Sequence, residues 1–564
     1  MKKFVAILLV LMFVTFLGVG RVRSAVGEVF CQVPLSVFSR SPAGSFSVPV
    51  MVINKGTSDM HIQKIEIVLQ DGTRVLGETL SETLPPSFLQ GLTDAEIRSS
   101  IGIVQPDEKS LATAQAMITK AATMTSGKER TQAVETAWLL LSSTTAQTET
   151  AAADKLLSQA RTFSVTVPLD KFPKKIEPSE VISVCLDITI QDLVGSVSTI
   201  SQTTNLFYLT SLPSQWGWYP GDGHIHSGWS DGDSYIPSIV STAVNRGLQW
   251  SIMTDHAGDT AHSPLQDRLE SSDWTSYGGD CTSAQTTYGI TVCPGEELAT
   301  QEGTGGSHLL TYKNSAYAAS YDPAPQTLID RANNAGGFGI IAHPYNPSFK
   351  WDGWYDGSYT GFRGFEVISS GYTVNNTDIG NWDYYLRSHL SATMQDPNHR
   401  FCVGLANSDF HSSLYSFLGK NVTYIYTGSG SPPGSSRTSV YSALENGRVC
   451  ASSDGSLVVH KITTGGTYLP GYYMQKSAAD YINVNVYATS AVSIPPGGYA
   501  DIRITTSVGT TSERIYGQTT INKDYSLYVA ADTYVRVQVT FFNGSVSSSA
   551  FTNPTFIDFA PYNQ

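Results

Sequence analysis

The chain has few charged residues, and basic residues are rarer than acidic ones. Charged side chains make up 15% of its 564 residues, with 35 Lys and Arg against 48 Asp and Glu, for a net charge of -13. A surface of this sign repels a phosphate backbone, so nucleic acid is not an expected partner. Global disorder is also excluded, because 41% of the residues are hydrophobic and 29 are tyrosines.

A long apolar run is present only at the N-terminus. Two lysines precede apolar residues from Phe4 to about Gly20, and small residues follow near Ala25. This pattern is typical of an export signal over residues 1–24, so we expect a soluble protein that is secreted or otherwise extracytoplasmic, in the periplasm or at the cell surface. The alternative is an uncleaved membrane anchor, since the run is barely long enough to span a bilayer. After cleavage we expect no stable membrane insertion.

The cysteines contain no C-x-x-C pair, which argues against a thiolate zinc site. There are six of them, and an even set in a chain expected to be exported favours disulfides. The sequence does not choose among the many connectivities. Proximity and the expected domains suggest the pairs Cys31–Cys185, Cys281–Cys293 and Cys402–Cys450.

Strand-forming segments dominate both ends of the chain. Residues 25–214 contain short Val- and Ile-rich runs separated by turn residues, which predicts a β-sandwich. It is interrupted at about 92–160 by segments with helical spacing, such as Thr131–Ser143 and Ala151–Ala160. Residues 456–564 return to short strands and predict a second β-sandwich. Contact with a cell surface or a polysaccharide is the interaction we associate with these β-domains.

Strands and helices alternate between these β-domains, over about residues 215–455. Ile236–Asn245 has the spacing of an amphipathic helix, and Leu248–Met253 follows as an apolar strand. Gln326–Asn334 and the strand after it repeat the pattern. The alternation predicts repeated β/α units and therefore an α/β central domain.

Nine of the eleven histidines lie between residues 224 and 411, most of them at the ends of predicted strands. His224-Ile-His226 places two imidazoles on one face of an extended segment, because strand side chains alternate. In a β/α barrel the carboxyl ends of the strands meet on one face, so residues far apart in sequence come together there. The candidate metal ligands at these strand ends are His224, His226, Asp231, His256, Glu297, His308, His343, Asp409 and His411.

This set of imidazole and carboxylate ligands, without thiolate, suits Mn, Zn or Fe. A carboxylate shared between ions allows a centre of two or three divalent metal ions. Such ions lower the pKa of bound water and so supply a hydroxide nucleophile near neutral pH. Hydrolysis of a small-molecule or polymeric ester is the reaction that this chemistry predicts.

The order of these motifs resembles the PHP (polymerase and histidinol phosphatase) superfamily over about residues 217–455. The similarity lies in Gly-Asp-Gly-His-Ile-His, Thr-Asp-His, Pro-Gly-Glu-Glu, Ala-His-Pro and Ser-Asp-Phe-His, with Asp231 and His308 at matching places. With β-domains on both sides, the chain looks most like the carbaryl-hydrolase-like branch. The resemblance implies a multidomain protein whose central α/β domain is a distorted seven-stranded β/α barrel.

The resemblance also implies how the ligands are shared. Site one would use His224, His226, Glu297 and Asp409, site two Glu297, His308 and His343, and site three Asp231, His256 and His411. Most members of the superfamily cleave phosphate esters, so a phosphomonoester or phosphodiester is the first expectation. Carbaryl-hydrolase-like members attack carbamates or carboxylic esters, and the sequence does not separate the two activities.

Several residues near these motifs need a separate assignment. Glu297 is preferred over Glu296 as the ligand, because neighbouring side chains of a strand point in opposite directions. Asp255 and Arg363 are the candidate catalytic residues, Asp255 to orient a histidine and Arg363 to bind an anion. Further candidates for anion binding are Lys350 and Arg331, and histidines that match no motif are His262, His389 and His399.

Two other functions compete with a metallohydrolase. Gly228-Trp-Ser230-Asp-Gly232 matches G-x-S-x-G, the nucleophile elbow of serine hydrolases, but that elbow requires a strand directly before the serine. Here the H-x-H pair precedes it, so we interpret Ser230 as a turn residue that helps to place Asp231. The other competitor is a non-catalytic surface-binding protein with a degenerate barrel, against which the complete ligand set argues.

Overall fold

The computed structural model describes most of the chain from residue 29 onward. The described residues are 29–40, 45–56, 58–84, 87, 93–94, 96–97, 108–124, 127–143, 161–192, 195–258, 268–300, 306–318, 324–346, 351–369, 376–391, 401–412, 417–428, 433 and 436–559. The expected export signal, the predicted helix Ala151–Ala160, and Lys350, His262 and His399 lie outside them. Within these ranges, no helix is both long and apolar enough to cross a membrane.

In its described residues, the N-terminal region has two facing sheets and two helices. Its strands are β1 Val29–Gln32, β2 Ser36–Ser39, β3 Ser45–Asn54, β4 Met60–Leu69, β5 Arg74–Leu84, β6 Arg161–Pro168, β7 Glu180–Asp192 and β8 Val197–Tyr208. The helices are α1 Glu108–Thr123 and α2 Lys128–Ser143. One sheet has the order β1-β3-β6 and the other β2-β8-β7-β4-β5.

Alternating burial explains why these strands form two layers. Along β7, Val184, Leu186, Ile188 and Ile190 are buried, and the residues between them are partly exposed. They share one hydrophobic core with Phe46 of the opposite sheet. Burial of one face of each sheet is the arrangement that stabilises a sandwich.

The two helices of the insertion join distant parts of the chain. Trp138 on α2 is fully buried, and its ring lies 5.1 Å from that of Phe38 on β2. Val492, from the C-terminal region, belongs to the same core. The backbone N–H of Ser493 donates to Glu135 on α2 at 2.7 Å. The insertion therefore packs between the N-terminal and C-terminal regions.

The central region alternates strands with helices. Its strands are β9 Trp218–Asp222, β10 Trp250–Met253, β11 Thr291–Pro294, β12 Glu296–Ala299, β13 His308–Tyr312, β14 Phe338–Ile341, β15 Gly364–Ser369, β16 Val403–Asn407, β17 Val422–Tyr426 and β18 Val449–Ser452. Its helices are α3 Ile236–Asn245, α4 Trp274–Tyr288, α5 Pro325–Asn334, α6 Asn376–Ser388 and α7 Arg437–Glu445.

These strands are divided between two sheets, so one regular parallel barrel is not seen. β11-β10-β9-β17-β18 lie in a sheet that continues into the C-terminal region, and β12-β13-β14-β15-β16 form another. β13 is antiparallel to both of its neighbours, β12 and β14. Two isolated parallel bridges, Ile225 with Phe410 and His256 with Glu297, join the two sheets.

The C-terminal region continues the sheet of the central region. Its strands are β19 Leu457–Ile462, β20 Tyr473–Gln475, β21 Asp480–Thr489, β22 Tyr499–Thr506, β23 Gly509–Tyr516, β24 Thr520–Val529, β25 Thr533–Phe542, β26 Ser547–Thr552 and β27 Thr555–Asp558. β26 pairs with β18, and β25, β22 and β23 follow it in the same sheet. The buried Asn553 side chain bonds to Gly404 N, Gly404 O and Val449 O at 2.8, 2.9 and 3.1 Å.

The cysteine prediction was wrong, because all six cysteines are free thiols. Cys31 and Cys185 lie in different sheets, on β1 and β7. Burial raises the pKa of Cys293 to about 12 and, with help from nearby Asp94, does the same for Cys31. These thiols therefore stay protonated and unreactive. Proximity in sequence does not provide the Cα separation and Cβ directions that a disulfide requires.

Candidate metal centre

The predicted ligands converge because their strands meet at one edge. His224 and His226 follow β9, His256 follows β10, and Asp409 follows β16. His308 instead begins β13, and because that strand is antiparallel to its neighbours, its first residue lies at the same edge. Each of the nine predicted ligands has a nitrogen–oxygen contact of 3.5 Å or less with another of them.

Four ligand atoms face one point in the first group. The Nε2 atoms of His224 and His226 are 3.0 Å apart. Glu297 Oε2 lies 3.2 and 3.0 Å from them, and Asp409 Oδ1 lies 3.1 and 3.4 Å from them. Ligand atoms roughly 2.0–2.1 Å from a tetrahedral ion are roughly 3.3 Å apart, so the spacing fits an ion at this point.

Asp409 supplies an independent sign that a cation belongs here. Its carboxylate is buried, and neither oxygen accepts a hydrogen bond from the described residues. A buried carboxylate without hydrogen bonds is costly unless a positive charge compensates it. The donor set of two imidazoles and two carboxylates matches the preferences of Zn, Mn or Fe.

Glu297 contacts histidines through both oxygens. Oε2 faces the first group, whereas Oε1 lies 2.9 Å from His308 Nδ1 and 3.3 Å from His343 Nε2. His256 Nδ1 is also 3.4 Å from Oε2, so His256, Glu297 and His308 form a second group that could hold an ion. One carboxylate thus lies between two candidate ion positions.

Asp231 is the centre of the third group. Its Oδ2 is 3.5 Å from His256 Nε2 and 3.4 Å from His411 Nε2. His226 Nδ1 lies 3.4 Å from Oδ1, which adds a residue that the resemblance did not assign to this site. The structure therefore brings all nine predicted ligands together and places eight of them in three groups that could hold ions. His343 contacts Glu297 but is in none of these groups, and His256 takes the place that the resemblance gave it in the second site.

Electrostatics favour the ionised carboxylate of Glu297 and the protonated ring of His224. Burial opposes ionisation of Glu297, but His224, His308 and His256 hold its pKa well below the usual range. Burial also opposes protonation of His224, yet Asp409, Glu366 and Glu297 raise its pKa well above the usual value. A proton on His224 thus offsets part of the carboxylate charge, whereas burial outweighs the nearby carboxylates at His256 and His308 and lowers the pKa of both rings. A divalent cation would replace the proton of His224 when it binds.

The backbone is strained at two of the ligands. Among the described non-glycine residues, four have positive φ, and two of these are His343 at 25° and Asp409 at 52°. Such conformations cost about 1–3 kcal/mol and persist where the surroundings enforce them, often at functional sites. Each residue lies two positions beyond the end of a strand, where the strained backbone directs its side chain into the cluster.

Glu366 is a buried carboxylate that the sequence analysis missed. Its Oε1 lies 3.0 Å from His224 Nδ1 and accepts a hydrogen bond from Asn407 at 2.8 Å. Its Oε2 accepts the backbone N–H of the strained His343 at 2.9 Å. A bond to Nδ1 leaves the lone pair of His224 Nε2 free for an ion. The available signal was one carboxylate within the apolar strand β15.

Asp255 supports the Asp231 loop instead of a histidine. It accepts hydrogen bonds from the Ser227 backbone N–H at 2.7 Å and from the Ser230 hydroxyl at 2.8 Å. The hydroxyl of Ser227 lies 2.9 Å from its Oδ2. Ser230 Oγ is also 3.2 Å from Asp231 Oδ1, as expected of a turn residue that helps to place that ligand.

The structure does not bring Arg363 to the ligand cluster. Arg363 precedes β15, and its backbone bonds to Gly339 and Val403 at the starts of β14 and β16. This is the opposite end of the strands from the histidines, so a role in binding the reacting anion has no geometric support. Arg331 lies on α5, and His389 stacks on Tyr385 at the end of α6.

The chain matches no protein-family model and no curated protein. Solved structures similar to it include a two-domain protein from Bacteroides vulgatus containing a predicted PHP-like metal-dependent phosphoesterase. That match has 14% identity and a TM-score of 0.33, over 59% of this chain and 94% of the other. An amidohydrolase from Chromobacterium violaceum matches with 15% identity and a TM-score of 0.24, over 34% and 88%. Similarity this weak decides nothing about activity, which has to be argued from the ligand geometry.

Proposed function

We propose that this protein is an exported, metal-dependent hydrolase of phosphate esters that belongs to the PHP superfamily, in its carbaryl-hydrolase-like branch. The observation that carries the proposal is the convergence of four ligand atoms from His224, His226, Glu297 and Asp409, with separations of 3.0 to 3.4 Å. The contact of Glu297 with histidines on both sides adds support for more than one ion.

The distorted barrel is part of this proposal. The bridges of Ile225 with Phe410 and of His256 with Glu297 support a ring of strands around the ligand cluster. Export is a further part, and it depends on the N-terminal segment alone, because the free thiols give it no support. A small phosphate ester, or a polymer that carries one, is the proposed substrate.

The residues of this chain have separable tasks in such a centre. Divalent ions, when bound, supply an activated nucleophile at neutral pH and stabilise charge on the phosphoryl oxygens. His224 and Asp409 would hold an ion in the first group. Glu297 belongs to both the first and the second group, so its carboxylate would serve both. Glu366 keeps the proton of His224 on Nδ1, and Asp255 keeps the loop of Asp231 in place.

The decisive experiment combines metal analysis of the purified protein with a substrate panel. We expect two or three equivalents of divalent ion, and the highest kcat/KM on 4-nitrophenyl phosphate or its diester. Chelation should abolish turnover, and added Mn or Zn should restore it. A preference for 4-nitrophenyl acetate or a naphthyl carbamate would instead support the ester or carbamate activity.

A serine variant provides the matched control. Ser230→Ala removes the hydroxyl of the G-x-S-x-G motif and substitutes none of the proposed ligands. We expect it to retain metal and most of its turnover. Activity that survives chelation and is lost in Ser230→Ala would refute a metal-dependent mechanism.

A further inference from the structure

The outer face of one C-terminal sheet carries two exposed tyrosines that lie together. Tyr481 on β21 and Tyr528 on β24 are directly opposite each other in the strand register. Each is 60% exposed, and the centroids of their rings are 5.3 Å apart. Single exposed aromatic rings are ordinary, whereas exposed rings that form a patch are typical of binding surfaces.

The alternation of residues along β21 explains why these rings face solvent. Ile482, Val484 and Val486 are buried in a core that they share with Ile502 of β22, so the residues between them point outward. Directly opposite residues of β21 and β24 lie on the same face, and every outward residue is at least partly exposed. We call this surface the tyrosine–amide face, and its cross-strand pairs are Tyr481–Tyr528, Asn483–Ser526, Asn485–Asp524, Tyr487–Asn522 and Thr489–Thr520.

The composition of the tyrosine–amide face indicates the class of its partner. The face consists of aromatic rings, hydroxyls, amides and one carboxylate, and its pairs contain no Val, Ile, Leu or Met. The centre of a protein–protein interface is more apolar than this. A sugar fits the face better, because the C–H groups of a sugar ring pack on an aromatic ring and its hydroxyls bond to amides and carboxylates.

Charges on and beside the face cancel. Asp524 is the charged residue of the face, and it accepts a hydrogen bond from the Asn485 amide at 2.9 Å. On the other side of Asn485, Lys461 of β19 lies opposite it in the register. The chain as a whole has a net charge of -13, so an anionic polymer gains no attraction here. These charges favour an uncharged partner.

The length of the face favours a polymer over a single sugar. Tyr528 and Asn522 are six residues apart on β24, which is roughly 20 Å along an extended strand. β24 is also an outer strand of its sheet, whose order is β19-β21-β24. A polymer can therefore follow or cross the face without meeting a further strand of this sheet.

We propose that the tyrosine–amide face binds a neutral polysaccharide. Its sugar rings stack on Tyr481 and Tyr528, and its hydroxyls bond to Asn522 and Asp524. None of the proposed metal ligands lies in the C-terminal region, so this proposal does not depend on the proposed hydrolase activity. Binding at this face would keep the protein at the surface of a polymer.

Affinity electrophoresis of the full protein in native gels tests the proposal. Each gel contains hydroxyethylcellulose, galactomannan, dextran or laminarin as a neutral polymer, or polygalacturonate as an anionic one. We expect at least one neutral polymer to retard the protein, and polygalacturonate to leave its mobility unchanged. Retardation by none of the neutral polymers, or by polygalacturonate alone, would overturn the proposal.

Variants of one tyrosine locate the interaction. Tyr528→Ala removes the ring, so the polymer concentration that gives half of the maximal retardation should rise at least about 10-fold, as expected when a central aromatic contact is lost. Tyr528→Phe keeps the ring and should retain most of the affinity. If Tyr528→Ala fails to fold, Tyr481→Ala makes the same test from the opposite strand.

The matched control is Tyr516→Ala. Tyr516 is also 60% exposed and lies opposite another tyrosine, Tyr499, but it belongs to a different sheet. Tyr516→Ala should bind the polymer as the parent does, and all variants should keep the metal content of the parent. Full retardation of both Tyr528→Ala and Tyr481→Ala, or an equal loss in Tyr516→Ala, would overturn the assignment to the tyrosine–amide face.

Discussion

Two regions of the molecule bury histidine completely and surround it with different groups. In the C-terminal region, the two ring nitrogens of His460 each lie 2.8 Å from a hydroxyl, that of Thr552 or that of Thr555. Burial lowers its pKa to about 3, so the ring is neutral and fully hydrogen-bonded. In the metal centre, His224 is equally buried but faces Glu297, Glu366 and Asp409.

The difference shows how burial and neighbours together decide what a histidine does. Hydroxyls satisfy a neutral ring and leave nothing for a ligand to add, so His460 stabilises packing. Carboxylates raise the pKa of His224, and Asp409 beside it accepts no hydrogen bond from the described residues. The first region is complete without a ligand, whereas in the second region a cation can take the place of the histidine protons that offset its carboxylates.

The largest effect is expected from removing a ligand of the first group. His224→Ala or Asp409→Ala should lower metal content and reduce turnover by more than about 100-fold, because water cannot hold the ion in the same place. Metal analysis and steady-state kinetics measure both effects. The matched control is His460→Gln, which alters an equally buried histidine and should leave metal content unchanged. Unaltered stoichiometry in both ligand variants would contradict the assignment.

A second prediction concerns Glu366, which contacts ligands without being one. Glu366→Gln should weaken metal binding about 10–100-fold, because the amide no longer fixes the proton of His224 on Nδ1. Calorimetric titration of the metal-free protein measures this change. Glu296→Gln makes the same chemical change at a buried carboxylate that accepts the N–H of Ala318, and it should have little effect on metal affinity. Equal effects of the two variants would show that Glu366 has no special role.

A third prediction tests whether the two regions are stable independently. Asn553→Ala removes three buried hydrogen bonds between them, at a cost of about 3 kcal/mol in the free energy of unfolding. Urea denaturation measures this change in the free energy of unfolding, and Asn485→Ala on an exposed strand face is the control.

Because β26 pairs with β18, a fragment of residues 215–455 should not fold alone, although it holds every proposed ligand. A folded fragment that binds metal would contradict this.

The smallest expected effect is a dependence of stability on pH from His460. Its pKa is about 3 in the folded protein against 6.5 as the ordinary value, so the unfolded chain binds more protons between these two pH values. The free energy of unfolding is therefore highest above pH 6.5 as far as His460 is concerned. It decreases as the pH falls, by about 2 kcal/mol at pH 5. Urea unfolding at pH 7.5 and 5 should show a steeper loss for the parent than for His460→Gln. Parallel losses would rule out this origin.

Local patterns in the sequence predicted the elements well. The spacing of Ile236–Asn245 predicted a helix with the bounds of α3, because an apolar stripe of that period packs only as a helix. Thr131–Ser143 lies within α2, and Gln326–Asn334 lies within α5. The strand-end histidines predicted a polar cluster at one edge of the strands. These predictions succeeded because each pattern is contained in a few neighbouring residues.

The sequence by itself therefore determined the types of ligand, their positions at strand ends and the period of each element. Only the tertiary structure decided the antiparallel course of β13, the pairing of β18 with β26, the contact of Glu366 with His224, and the free state of the cysteines. Each of these depends on contacts between residues far apart in the chain. Their energy comes from register, burial and side-chain direction in the folded molecule, which a local pattern of residues does not contain.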